Sequence, residues 1–491
     1  MLKNIQNNTA IFDSIKILTL SIFGYLASFS DWSLDDAMIT LQYSKNIALY
    51  GIYSFNLNGN DFATTSIFHT LFSSLFYFFS SSPDIALQNL KFFEILLVIF
   101  TLFILTKTFE KRGINPFISI VFLILFLSNN NNYTYLFSGM ELPWYLFFVT
   151  MIILAYEKKY FLLVGLLGFI LFLVRPEAVL VFGIIVLFDF IRSKKYFSWA
   201  GIVNFIRKWF AASFLLISLI SIDLIVFYCL KGQPLPDTGE VKFLTAQNWG
   251  YFYTYLPTLF SQIGVWSIFI LPGLYLLLKN YNKLSVFSIF LLFSFVMTVL
   301  YSLLLLPKSQ WYYLPFHIGV YILIMLGMQM VYQLILDKKT SVLIYFNTIC
   351  LALIFPTQPD FYHFSTFDLI RINTKQLISR EKKRHNINRA AGLWIKNNTQ
   401  ETDTVAVANI GYIGYYADRH IVDIVGLLNP DIARNHRNDV YYWYNTYKPK
   451  YIVDKYRGLK KYLKRHPEYE VVKVIGSAKY NNERMVIFKH K

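Results

Sequence analysis

Cysteine is scarce in this chain: two among 491 residues, Cys229 and Cys350, each inside an apolar stretch. That excludes a disulfide scaffold and a cysteine-ligated metal site. Charge is scarce as well. Only 15% of the residues are Asp, Glu, Lys or Arg, against about 25% in a typical soluble domain, so an ordinary soluble globule is excluded. No internal repeat and no long low-complexity tract is present. The first apolar stretch ends at SFSDW without a small-residue cleavage site, so it is expected to stay as a first helix rather than be removed as a signal peptide. The paired, repeat-related broken helices of many transporters are missing too.

What the chain does have is long apolar runs, which carry its 55% hydrophobic content. ILLVIFTLFILT (95–106), LSVFSIFLLFSFVMTVLYSLLLL (284–306) and FHIGVYILIMLGMQMVYQLIL (316–336) contain almost no charge and no polar face at helical spacing. Runs of about 20 such residues match the bilayer core. The reading is an α-helical polytopic membrane protein with about eleven transmembrane helices, near 11–29, 90–107, 115–128, 141–156, 160–174, 178–192, 210–230, 262–279, 284–306, 316–336 and 340–356. The apolar stretch 66–80 sits in a loop rich in Ser and Asn and is expected to lie along the membrane surface. With the N-terminus in the cytoplasm, loops on that side hold fifteen Lys and Arg and the opposite short loops hold six. This is the positive-inside bias, and counting 66–80 as a span would destroy it.

After residue 356 the character changes. Residues 357–491 hold 24 Lys+Arg and 13 Asp+Glu. Long domains translocate largely regardless of charge, so the surplus does not contradict the orientation. A charged helical stretch (376–398) is followed by TVAVANI (404–410), HIVDIVGL (420–427), YIVDK (451–455) and a closing pair around YEVVKVIG and ERMVIFK. That alternation predicts a small soluble α/β domain outside the cytoplasm. The expected organisation is a membrane domain, 1–356, with a first outer loop over 30–89, and an extracytoplasmic domain, 357–491. The net charge of +17 belongs to this topology and does not call for nucleic acid.

The informative polar residues fall on the predicted outer side. Asp35 and Asp36 follow the first helix. Adjacent carboxylates repel, which suits a general base or a cation ligand. The plainer alternative is the acidic start of a helix, since AMITLQYSKNIALY reads as helical. Glu141 lies in SGMEL (138–142), Arg175 and Glu177 in VRPEA (174–178), Asp237, Glu240 and Lys242 in LPDTGEVK (235–242), and Lys308, Gln310, Trp311, Tyr312 and Tyr313 in PKSQWYYLP (307–315). Each alone reads as a helix end, and Pro176 accounts for part of VRPEA. Together they form a polar rim with both signs of charge, a functional hypothesis at a membrane boundary.

In order along the chain, these segments resemble the GT-C superfamily of polytopic glycosyltransferases, particularly the branch containing the mycobacterial terminal arabinofuranosyltransferase. DDAMITLQYS (35–44) is similar to that branch's DDAFITLRYA-like run, YGIYSFN (50–56) to HGxxFN, and ATTSIFH (63–69), more distantly, to GYTSPLW. SGMEL, RPEA, LPDTGEVK and WYYLP resemble TGMET-, RPEG-, LPNTxxxK- and RYxLP-like runs. GYIGYYADRHIVDIVGLLNPDIA (411–433) resembles a GxxGYYSxRxVxDxxGLxxPEIA-like run in the tail. The departures are Ile67 in place of Pro, Trp311 in place of Arg, and Gly239 and Glu240 after Thr238.

The resemblance implies an enzyme that takes a sugar from a polyprenyl-monophosphate carrier and gives it to a glycan, lipid or protein hydroxyl, with inversion, at a bacterial plasma membrane. That chemistry needs an apolar groove for the tail, cations for the departing phosphate and a carboxylate to deprotonate the acceptor. Arg175, Lys242 and Lys308 are the expected phosphate ligands. Asp35 or Asp36 is the expected base, the resemblance leaving open which, and the pair is also where a divalent cation would bind if one is used. Glu141, Glu177, Asp237, Trp311, Tyr312, Tyr313, Tyr415 and Asp423 are the expected substrate contacts, with Tyr416 and Asn429 as further candidates in the tail. The competing classes are a lipid-linked glycan ligase and a flippase or transporter of envelope precursors. A structural scaffold would leave the acidic pair and the basic rim unexplained.

Overall fold

A computed structural model of the chain describes residues 9–28, 33–80, 82–192, 198–239, 241, 262–280, 284–303, 310–336, 375–435, 440–455, 467–476 and 484–491. The membrane part is built from α1 (Thr9–Ser28), α2 (Asp35–Tyr50), α3 (Ile67–Phe78), α4 (Pro83–Lys111), α5 (Pro116–Ser128), α6 (Asn130–Leu136), α7 (Leu142–Glu157), α8 (Phe161–Val174), α9 (Leu180–Arg192), α10 (Trp199–Lys231), α11 (Ile270–Lys279), α12 (Ser285–Leu303) and α13 (Leu314–Leu336). Among the described residues, five helices are long and apolar enough to cross a bilayer unaided: Ala10–Ser28, Pro83–Lys111, Trp199–Lys231, Ser285–Leu303 and Trp311–Ile335. The expected last span, 340–356, lies outside the described residues.

Helix α4 starts seven residues before the expected span at 90–107. Ser82 accepts a hydrogen bond from the Ile85 amide and Pro83 occupies the first turn, a start signal of fixed φ and a satisfied donor. Its 29 residues extend about 44 Å at about 1.5 Å per residue. The length exceeds a roughly 30 Å core, and the first two turns bury Ala86, Leu87 and Leu90 against Tyr412, Tyr415 and Tyr416. Helix α3, at 12 residues, reaches only about 18 Å. It packs Phe68 and Phe72 against Trp144. Helices α11 and α13 touch backbone to backbone: a methyl at Gly273 would overlap the Leu323 carbonyl oxygen, and one at Gly327 that of Phe269. At the Lys-rich end, Lys16 is fully buried on α1 and pairs with Asp13 and Glu110, each at 2.6 Å.

The tail folds as α14 (Lys375–Asn398), β1 (Thr404–Val407), α15 (Ile410–Ala417), β2 (His420–Asp423), α16 (Pro430–Asn435), α17 (Val440–Tyr447), β3 (Tyr451–Lys455), β4 (Tyr469–Ile475) and β5 (Met485–His490). The sheet order is β2-β1-β3-β5-β4, with β1 parallel to β2 and β3, and β5 antiparallel to β3 and β4. This is the α/β layer expected from the alternation of short apolar runs. Its core is shared with the first loop. Ile39, Tyr43, Phe55 and Ala63 are buried in one cluster with Ile395, Val405, Ile413, Ile421 and Ile487. Met38, Leu41, Tyr77 and Leu90 are buried with Tyr412, Tyr415 and Tyr416. The sheet layer is thus bonded through apolar contact to residues more than three hundred positions earlier.

Candidate functional site

Asp35 does not cap its own helix. The N-cap of α2 is Leu34, with no side-chain cap bond. The Asp35 carboxylate instead accepts the amides of Gly411 and Tyr412, each at 3.1 Å, and so caps α15 in the distant tail. Ten residues along α2, Lys45 donates to the Tyr415 carbonyl at 3.1 Å and pairs with Asp418 at 3.3 Å. The two ends of an eight-residue helix are therefore held by one neighbouring helix, an acid at its positive end and a lysine at its negative end. The approach is close enough that a methyl at Gly411 would overlap the Asp35 carbonyl oxygen. Tyr412 closes the joint: its hydroxyl donates to the Ser33 carbonyl at 2.8 Å and accepts the Ser33 amide at 2.7 Å.

Asp36 is the next residue of α2. It lines a cavity of about 220 Å³ together with Asp35, Ser33, Trp311, His385, Asn388 and Tyr412, and it is half-buried. The His385 ring stands edge-on to Tyr412 at 4.2 Å. Of the expected aromatic contacts, Trp311 alone lines this cavity. Tyr312 lies over the Arg175 guanidinium at 4.8 Å, and Tyr313 is buried against His317.

Arg175 sits where α8 ends, and it is 7% exposed. It pairs with Glu141 at 2.9 Å and with Glu177 at 2.7 Å. Tyr301 donates to the same Glu177 oxygen at 2.9 Å. One guanidinium between two carboxylates leaves the cluster net negative. Arg175, an expected phosphate ligand, thus joins the ends of α7 and α8 through these two carboxylates. Lys242, Glu240 and Lys308 lie outside the described residues.

Of three further expected substrate contacts, Asp237 and Tyr415 tie the membrane part to the tail and Asp423 is bound within the tail. Asp237 pairs with Arg434 at 3.1 Å and accepts from Gln233 at 2.7 Å. The Tyr415 hydroxyl meets that of Tyr77 at 2.7 Å and donates to the Pro83 carbonyl at 3.0 Å. Asp423 is fully buried and accepts the amides of Val425, Leu427 and Leu428. Burial pushes its carboxyl up to about 6 even though those amides oppose the rise. Sequence reasoning missed Lys45, Asn56, His385 and Asn388. Asn56 pairs through both amide atoms with the Ile421 backbone on β2, at 2.9 and 2.8 Å. Gly411 and Tyr412 were inside a quoted motif, but nothing in the pattern marked His385 and Asn388. Among the described residues no group of three or more His, Cys, Asp or Glu side chains is arranged to hold a metal ion; a cation at Asp35 and Asp36 would have that pair alone.

An apolar groove of about 500 Å³ lies between α12 and α13, lined by Leu291, Phe295, Val299, Leu303, Phe316 and Val320 among others. Its lining spans about twelve residues of α12, or about 18 Å. Ser302 and Leu303 of that lining directly follow Tyr301 on α12, and Tyr301 and Tyr312 touch the Glu177–Arg175 pair.

Over 98% of its length, and 97% of that of the neighbour, the chain superimposes on the crystal structure of ArnT from Cupriavidus metallidurans in the apo state, at TM-score 0.58 and 11% identity. It is similarly like ArnT from the same organism bound to undecaprenyl phosphate, at TM-score 0.55 and 12% identity with the same coverage. The fold is GT-C-like. That GT-C-like fold is the one the ordered motifs implied, and both neighbours are ArnT. Residues 375–488 also match a family model described as a domain of unknown function (DUF8728). No curated protein matches the chain.

Proposed function

We propose that the chain is a membrane glycosyltransferase that moves a sugar from a polyprenyl-phosphate-linked donor to an acceptor hydroxyl on the non-cytoplasmic face of a bacterial plasma membrane. The single observation that carries the reading is Asp36. It lines, with Asp35, a cavity between the first loop, Trp311 and the tail helix α14, and both carboxylate oxygens of Asp35 accept backbone amides of the tail. The GT-C-like fold supports the reaction class, and the ArnT crystal structure with undecaprenyl phosphate supports the carrier.

In this reading Asp36 takes the proton of the acceptor hydroxyl as its oxygen bonds to the anomeric carbon. The bond from that carbon to the phosphate oxygen breaks on the opposite side, the configuration inverts, and the polyprenyl phosphate leaves with the electron pair. The tail lies in the apolar groove of α12 and α13. Lys242 and Lys308 are the proposed cations for the phosphate, and Trp311 stacks on the sugar. The Arg175 hub holds Tyr312. A general base contributes about 10²–10⁴-fold. Asp36→Asn in proteoliposomes with a radiolabelled polyprenyl-phosphate sugar is therefore expected to lose at least about a hundredfold in turnover while still binding the donor. Unchanged turnover in that variant would remove the base assignment.

A further inference from the structure

A second and larger cavity, of about 710 Å³, adjoins the first and is not used by the step above. It falls in the size range of small-molecule sites, about 300–1,000 Å³. Its floor is apolar and belongs to two membrane helices: Ala27 of α1, and Leu87, Phe92 and Ile95 of α4. Phe92 is 60% exposed and faces outward at the level where the expected span begins. Its upper wall is polar. The first turns of α4 supply Asp84, Gln88, Asn89 and Lys91, and α14 supplies Asn386 and Arg389. Arg389 pairs with Asp84 at 2.5 Å and lies over the Tyr416 ring at 5.0 Å.

His385 lines both cavities. Tyr412 lines the Asp36 cavity and Tyr416 the larger one, and their rings lie parallel, 6.3 Å apart. A ligand in the larger cavity is therefore separated from the Asp36 cavity only by side chains. The chemistry of the wall states what it would take. Two cations and one carboxylate leave one positive charge. The amides Gln88, Asn89 and Asn386 can both donate and accept, which suits hydroxyl groups. The apolar floor, shared with lipid-facing α4, suits a hydrocarbon anchor.

We propose that this cavity is the acceptor subsite, and that its ligand is a lipid-anchored, hydroxyl-rich headgroup carrying one phosphate charge, entering sideways from the bilayer between α1 and α4. The assignment rests on the transferase reading, but its test does not need turnover. Gln88→Cys, with Cys229 and Cys350 replaced by Ser, is placed in phosphatidylcholine nanodiscs and labelled with a maleimide. Phosphatidylinositol, a lipid with one phosphate and a polyol ring, serves as the probe. Adding it is expected to slow labelling about tenfold, the protection given by a ligand at roughly ten times its Kd. Soluble inositol phosphate at equal concentration is expected to slow it far less. Lys91→Gln with Arg389→Gln is expected to abolish the protection. Equal labelling with and without phosphatidylinositol would overturn the proposal. So would equal protection by the soluble headgroup or by a soluble serine- and threonine-rich peptide, or protection that survives the double substitution. Failure here with the Asp36→Asn loss intact would cost the subsite and leave the transferase reading standing.

Discussion

Asp35→Asn and Asp36→Asn are the same substitution one residue apart, and the geometry makes their effects separable. Asp35 gives one carboxylate oxygen to each of two amides, Gly411 and Tyr412. Asparagine keeps one acceptor and turns an amide donor toward the other N–H. A hydrogen bond to a charged group is worth about 1.5–3 kcal/mol, so the docking of α15 onto α2 weakens by about 2 kcal/mol, or roughly thirtyfold in the opening equilibrium. The assay is amide hydrogen exchange over 410–417, read alongside sugar transfer. Asp35→Asn is expected to raise exchange there by about thirtyfold and to lower transfer in proportion to the undocked fraction. Asp36→Asn is expected to leave exchange unchanged and to stop transfer. The reverse pattern, with transfer lost and exchange unchanged in Asp35→Asn, would make Asp35 the base and refute the division of roles.

Arg175→Lys cannot reproduce the contacts to Glu141 and Glu177 made by separate guanidinium nitrogens, and breaking a buried pair costs about 3–5 kcal/mol; a clear fall in detergent melting temperature is expected, with a smaller fall for Glu177→Gln, and an unshifted Arg175→Lys would show that the hub is not structural. Asp423→Asn is expected to cost about 1–3 kcal/mol in the tail, because an amide donor meets a ring of backbone donors, measured as earlier proteolysis of the sheet layer. The folded Asp423 carboxyl titrates near 6 against an ordinary 3.8, so the folded state holds its proton more tightly than the unfolded one. Its contribution to stability is therefore present below about pH 4 and lost as pH rises through about 6, and the Asn variant should lack that part of the slope in a pH series of melts. Gly327→Ala places a methyl against the Phe269 carbonyl and is expected to cost about 1–3 kcal/mol by overpacking the α11–α13 crossing, visible in the same melts; an unchanged melting point would mean that the helices can part at no cost.

The apolar runs and the alternation of the tail were enough to read a polytopic helical protein with a small α/β layer, because both are periodic signals carried by many residues. Helix α1, expected over 11–29, runs Thr9–Ser28, and the charged stretch 376–398 is α14, Lys375–Asn398. The early start of α4 was missed because hydropathy marks the bilayer, whereas Ser82 and Pro83 mark the helix. The site was legible as a set of segments and not as roles. Asp35 read as a base or cation ligand, and Tyr415 and Asp237 as substrate contacts; the partners that the structure gives them, the α15 amides, Pro83 and Arg434, lie far away in sequence and carry no local pattern. Asp423 looked the same, but its partners are the amides of its own loop. His385 reaches the Asp36 cavity from a helix whose composition reads as plain solvated charge.

The pairing of Asn56 with β2 sets a timetable for biogenesis. Strand β2 is one of the two edge strands of its sheet, and an open strand edge invites stray pairing. Asn56 occupies both backbone groups of Ile421 from 365 residues upstream. At a synthesis rate of about 5–20 residues per second, that half of the seam waits roughly twenty to seventy seconds for its partner. During that interval the Asn56 loop, already delivered across the membrane in the proposed orientation, has to stay soluble and unaggregated while membrane helices are still being inserted behind it. The last hundred residues then arrive onto a template that is already waiting for them, so a chain truncated before the tail would leave that loop as the first place for quality-control proteases to act.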